Sequence, residues 1–200
     1  MRNDNPGYGI SDVGNSTTSH IRYPNSRLFW PILTAVVASD IVTKAFAVKT
    51  LASPRVPREV VSDWLRFTLV YNPGAAFGLH VGQNSRWVFM ALTIGALLIL
   101  GRLYISTREG DRARVVSLAL VCGGALGNLL DRIKSSNGVV DFLDVGVRDA
   151  RWPTFNVADM AVSIGAFLLA IVLWAEDRPQ ESGHVGIVSG ELRHESSEAS

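Results

Sequence analysis

Apolar residues gather into four long runs separated by polar connections. The first, Leu28 to Val48, reads LFWPILTAVVASDIVTKAFAV, and the second, Trp87 to Ile105, reads WVFMALTIGALLILGRLYI. The third, Val115 to Ile133, is VVSLALVCGGALGNLLDRI, and the fourth, Phe155 to Ala175, is FNVADMAVSIGAFLLAIVLWA. Each is about 20 residues long, the length with which an α-helix crosses roughly 30 Å of hydrocarbon. Helices satisfy their backbone polar groups within the segment, as lipid requires. A membrane β-barrel would instead show many alternating segments of about 10 residues, and the chain has none. The pattern therefore predicts an all-α polytopic membrane protein with spans at about 28–48, 87–105, 115–133 and 155–175. The first run follows 27 mostly polar residues, exceeds a signal-peptide core in length and lacks an A-x-A site after it, so it reads as a retained span.

The connections differ in character. Residues 49–86 contain an alternating stretch, Trp64 to Tyr71, followed at once by the turn Asn72-Pro73-Gly74. That combination predicts a small extracytoplasmic β-containing element between the first two helices. Ser106 to Arg114 is short and charged, whereas residues 134–154 mix Val, Phe, Leu and Trp with charge and read as interfacial. Residues 1–27 and 176–200 are expected to be disordered cytoplasmic tails around a membrane domain at 28–175, because Ser, Asn, Gly and Glu dominate them without an apolar period.

Composition agrees with this division: 48% of residues are hydrophobic and only 18% charged, against roughly 25% charged in a soluble domain. A net charge of +1 gives no basic excess for nucleic acid. The single cysteine, Cys122, excludes an internal disulfide and a CxxC site, and reads as a small packing residue. Lys and Arg divide evenly between the two sides, but Arg102, Arg108, Arg112 and Arg114 are dense within one short connection. The positive-inside rule then leans towards both termini being cytoplasmic.

With alternating spans, the end of the first, the start of the second, the end of the third and the start of the fourth share one membrane face. Asp40 and Lys44, then Asn128, Asp131 and Arg132, then Asn156 and Asp159 all fall there, as do Asp141 and Asn72 in the connections. An ionisable group within a span costs roughly 2.5–3.5 kcal/mol on insertion scales, so it persists where it is paired or lines a wet cavity. Asp40 and Lys44 lie one turn apart and read first as a salt bridge. Arg132 suits a helix C-terminus, with Asp131 beside it as a headgroup anchor. Asp159 has no basic residue within one turn. The four histidines lie outside the spans, which argues against a Ser-His triad, a zinc site or any other His-based metal centre. Ser39 and Lys44 are five apart and fall on different helix faces. Carboxylates remain, and two sharing a site can hold one proton, one acting as base and the other as acid. Spacing alone leaves Asp131, Asp141, Asp144 and Asp159 as candidates.

Five strings then become specific. Asp40-x-x-x-Lys44, Asn72-Pro73-Gly74-Ala75-Ala76-Phe77-Gly78, Gly123 through Arg132 (GGALGNLLDR), Val139-Val140-Asp141-Phe142 and Phe155-Asn156-Val157-Ala158-Asp159 occur in this order. Together they resemble the lipoprotein signal peptidase (signal peptidase II) family over roughly residues 28–175. The resemblance implies an intramembrane aspartic endopeptidase of the bacterial plasma membrane, sensitive to globomycin. It implies cleavage of diacylglyceryl-modified prolipoproteins just before the lipidated cysteine, with the active site near the outer leaflet. Carried over by position, Asp141 and Asp159 are the catalytic pair, Asn128 and Asn156 hold hydrogen bonds around it, and Asn72, Gly74 and Arg132 line the substrate region. Asp40, Lys44 and Asp131 are supporting residues. In this reading Asp159 is fixed by a helix while Asp141 rides on a movable connection, and residues 55–84 cradle the substrate. No cofactor or metal is expected, membrane lipids and prolipoproteins are the partners, and the chain is a monomer. The competing reading is a small transporter or channel subunit with an intramembrane polar path, which predicts polar residues reaching both faces. A scaffold of mutually locked charges is the third, and it leaves the apparently unpaired Asp159 without a role.

Overall fold

The structure is a computed structural model that describes residues 26–51, 53–74 and 84–177. Nearly all of both tails, residue 52 and residues 75–83, with the Ala75-to-Gly78 part of the second string, lie outside these residues, as does the expectation of tail disorder. Four helices, α1 (Ser26–Thr50), α2 (Ser85–Ile105), α3 (Arg112–Lys134) and α4 (Val157–Glu176), coincide with the four apolar runs. All four are long and apolar enough to cross a membrane.

The helices do not share the interior equally. About half of the apolar stretch of α3 is buried, against 6% of that of α2. Helix α3 packs against α1, α4 and α2, so it is the axis of the bundle. Small residues make that position possible: a Cβ on Gly127 would lie 2.6 Å from the Asp40 carboxylate. Away from the polar end, Phe29 and Tyr104 stack at 4.0 Å over Val115, Leu118, Ala119 and Cys122, forming a closed apolar core. Cys122 is thus a packing residue, as expected.

Between the helices runs a four-stranded antiparallel sheet in the order β1 (Arg58–Val61), β2 (Leu65–Asn72), β3 (Val139–Val147) and β4 (Ala150–Arg151). The sequence placed the β element in the α1–α2 connection alone. Half of it comes instead from the α3–α4 connection, because β3 supplies the long inner strand. In residues 139–147 the buried positions are Val139, Asp141, Phe142 and Asp144, two of them carboxylates, so they show no clean apolar alternation, and their partner β2 lies some 70 residues earlier. Leu69 and Phe142 close the sheet over Ala47 of α1 and Leu51 just beyond its end.

Candidate active site

Asp141 sits inside β3, opposite Val70 of β2, with its side chain 2% exposed. This corrects the expectation that it rides on a movable connection: ladder pairing on both sides of the residue fixes its backbone. Asp131 adds a second tether, since its Oδ2 accepts the backbone N–H of Val140 at 3.2 Å.

The chain then returns to Asp141 through Phe155. Its carbonyl accepts the N–H groups of Phe142 and Leu143 at 3.0 and 2.8 Å, and its own N–H donates to Leu143 at 3.0 Å. Phe155 is therefore a sheet residue rather than the start of the fourth helix, and Asn156 is the N-cap of α4. The Asn156 side chain accepts from the Asp159 N–H at 2.9 Å, and Asp159 Oδ2 accepts from the Asn156 N–H at 3.1 Å. This reciprocal capping box satisfies two helix-terminal donors at once. It also gives Asp159, which had no local cation, a structural partner.

Asn156 bridges the two acids. Fully buried, it donates through Nδ2 to Asp141 Oδ1 at 2.7 Å while its backbone holds Asp159. Asn128 donates to Asp159 Oδ1 at 2.7 Å, and Asn72 donates to Asp141 Oδ2 at 3.1 Å. The Asn72 Oδ1 accepts the Gly74 N–H at 3.0 Å, and Gly74 takes φ +116°, a conformation that suits glycine. Among the described residues, the hydrogen bonds accepted by the two carboxylates thus come from amides. Burial, and then the negative charge of Asp159, push Asp141 up to about 7.

Lys44 anchors the adjoining cluster. Its ammonium meets Asp40 at 2.7 Å, Asp131 at 2.8 Å and Asn128 Oδ1 at 2.9 Å, which uses all three of its hydrogens. The second Asp40 oxygen accepts the Ala158 N–H at 3.0 Å, docking α1 on the first turn of α4. The local salt bridge expected from spacing is present, as one edge of a wider network. Arg132 donates to the Asn128 carbonyl at 3.3 Å and stands 5.5 Å over the Phe89 ring.

The other candidates separate cleanly. Asp144 is held by Thr68 at 2.9 Å and Arg151 at 2.5 Å, on the opposite face of β3 from Asp141 by the strand's two-residue period. Ser39 donates to the carbonyls of Ala35 and Val36, away from Lys44. Sequence reading missed Arg86, whose guanidinium caps α3 through the Arg132 and Ile133 carbonyls at 2.6 and 3.1 Å. It also missed the walls of two cavities. One of about 400 Å³ opens on Asp159 between Trp152, Phe155, Met160 and Ile164. The other, about 690 Å³, opens on Asp141 beside Arg55, Tyr71, Asn72 and Asn137. The first is largely apolar and the second mixes polar and apolar surface; apart from Asn72, which the family resemblance marks, no local pattern singles out these wall residues.

Comparison with known proteins supplies independent findings. A sequence model for the family described as "Signal peptidase (SPase) II" matches residues 32–175. The lipoprotein signal peptidase of Burkholderia mallei is 43% identical over 137 residues, covering 67% of this chain and 80% of that protein. The lipoprotein signal peptidase of Mycobacterium avium is 39% identical over 163 residues, covering 78% and 85%. A bacterial membrane enzyme solved by the in meso method at 2.3 Å superposes with a TM-score of 0.70 at 30% identity, covering 82% of this chain and 97% of that one. A second such enzyme, solved at 1.9 Å, gives a TM-score of 0.66 at 32% identity, covering 76% and 95%.

Proposed function

The chain belongs to the signal peptidase II family, a multi-pass membrane protease that removes signal peptides from prolipoproteins, and we propose that Asp141 and Asp159 are its catalytic pair. The observation that carries this is the Asn156 bridge: one buried asparagine holds both acids, Asp141 through its side-chain amide and Asp159 through its backbone N–H, with no ammonium or guanidinium hydrogen-bonded to either among the described residues. Two carboxylates so placed share one proton, because ionising both is costly. Asp141, raised to about 7, carries that proton.

The reaction follows from these roles. A water between the acids gives a proton to Asp159 as its oxygen bonds to the scissile carbonyl carbon. Asp141 gives its proton to the carbonyl oxygen, and a neutral tetrahedral diol forms. Collapse of the diol returns a proton to Asp141, Asp159 protonates the leaving nitrogen, and the C–N bond breaks. Asn128 and Asn156 hold the acids, while Asn72, Gly74 and Arg132 border the substrate. Asp40, Lys44 and Asp131 keep α1, α3 and β3 in register.

The substrate is a prolipoprotein bearing a diacylglyceryl cysteine, cut just before that residue. Its lipid would hold the scissile bond at the depth of the carboxylates. The density of Arg102, Arg108, Arg112 and Arg114 at the opposite end supports cytoplasmic termini in a bacterial plasma membrane, with the active site near the outer leaflet. The chain acts as a monomer. A transport path is disfavoured, because the space beyond the polar cluster is filled by Phe29, Tyr104, Val115 and Leu118. The test is a gel-shift assay of detergent-purified protein on a diacylglyceryl-modified prolipoprotein. Wild type should cleave it and Asp159→Asn should not; comparable cleavage by both would remove the pair as assigned.

A further inference from the structure

The end of the bundle that carries the acids has a third cavity, in the cleft between α1 and α3. It measures about 380 Å³ and is lined by Ile41, Ala45, Val48, Lys49, Lys134 and Val140, with Lys44 and Asp131 at its floor. It is distinct from the two cavities that open on Asp141 and Asp159, which lie along the sheet and α4. Its wall is divided by chemistry. Ile41 and Val48 are 39% and 41% exposed on the lipid-facing side of α1. Lys49 and Lys134 are exposed in the last turns of α1 and α3. Neither lysine has an ion-pair partner among the described residues, whereas Lys44 is saturated by Asp40, Asp131 and Asn128.

The geometry points to a binding site for an anionic phospholipid, its headgroup phosphate between Lys49 and Lys134 and an acyl chain along Ile41 and Val48. Charge complementarity selects the head, because two ammonium groups at the mouth of one cleft are left without carboxylates. The apolar exposed wall selects a lipid over a free anion, since it continues the cleft into the hydrocarbon. Ammonium groups at a bilayer surface attract anionic headgroups, each contributing about fivefold to affinity. Position gives the site a bearing on the protein: Asp131 lines its floor and also tethers β3 at Val140, the residue before Asp141. A lipid seated here would clamp the α1–α3 pair that carries this tether.

The full-length chain in neutral detergent would be titrated with phosphatidylglycerol, phosphatidylcholine and inorganic phosphate, with bound species counted by native mass spectrometry. Phosphatidylglycerol should bind more tightly than phosphatidylcholine. Lys49→Gln with Lys134→Gln should weaken the anionic lipid by roughly thirtyfold, and Lys134→Gln alone by about fivefold, leaving phosphatidylcholine unaffected. Unfolding temperatures in detergent without lipid should match the wild type, since both side chains are exposed. Equal retention of phosphatidylglycerol by the double variant would overturn the site. Inorganic phosphate binding as tightly as the lipid would overturn its assignment to a lipid.

Discussion

Two polar clusters touch at Asn128 and treat charge in opposite ways. In the first, Asp40 and Asp131 close on one ammonium, and each also accepts a backbone N–H, from Ala158 and Val140. In the second, Asp141 and Asp159 are held by three asparagine side chains and a backbone amide. The first neutralises its cation internally and ties α1, α3, α4 and β3 together. The second sets its carboxylates against two cavities with no cation hydrogen-bonded to either among the described residues, Lys44 and Arg132 acting on them only from a distance. Both contain two aspartates at the same end of the bundle, so residue type does not separate structure from chemistry; the partner does. Amide partners fix the position of a carboxylate without removing its capacity to exchange a proton, whereas an ammonium locks it as an anion.

This contrast predicts opposite responses to substitution. Asp141→Asn retains an oxygen for Asn156 and removes the repulsion with Asp159. Cleavage should fall by about 10³-fold or more, while thermal unfolding in detergent stays unchanged or moves up. Lys44→Met should do the reverse. It strands Asp40 and Asp131 without their cation, and breaking such a buried pair costs about 3–5 kcal/mol. The unfolding transition should drop steeply, and activity should be lost only in proportion to the folded fraction. If Lys44→Met unfolds like wild type but is inactive, the first cluster belongs to the chemistry and the division fails.

The legible part of this protein is what local pattern encodes. Four 20-residue apolar runs mark the helices because lipid imposes length and composition on each separately. The polar residues fall on one face because the spans alternate. Neither rule reaches β3. Its partner lies in another connection, and Asp141 gains its place from pairing with Val70, which no spacing within residues 134–154 reveals. The capping box was half visible, as an Asn three residues before an Asp, but Phe155 looked like the first residue of the apolar run and drew Asn156 into the helix. The Lys44–Asn128 bond joins residues 84 apart and follows only from the packing of α1 on α3. The proposed catalytic pair comes from family resemblance; spacing leaves four acids open, and only the three-dimensional partners distinguish Asp144, held by Arg151, from Asp141, held by amides.

The finest test of the contrast is titration. Burial first, and Asp159 second, raise Asp141 from 3.8 to about 7, and the Asn72 amide works against them by favouring the ionised form. Because the folded protein prefers the protonated acid, the resulting stabilisation is present at low pH and lost as pH rises through about 7. Cleavage needs the same proton, so its rate should decline on the alkaline side of that value. Asn72→Ala removes one lowering contribution, and the alkaline limb should therefore move to higher pH, with a modest fall in the maximal rate. Rate against pH for the two proteins, with unfolding temperature recorded alongside, checks the sign directly. A limb that moves to lower pH, or does not move, would mean that the titrating group in catalysis is not the carboxyl that Asn72 touches.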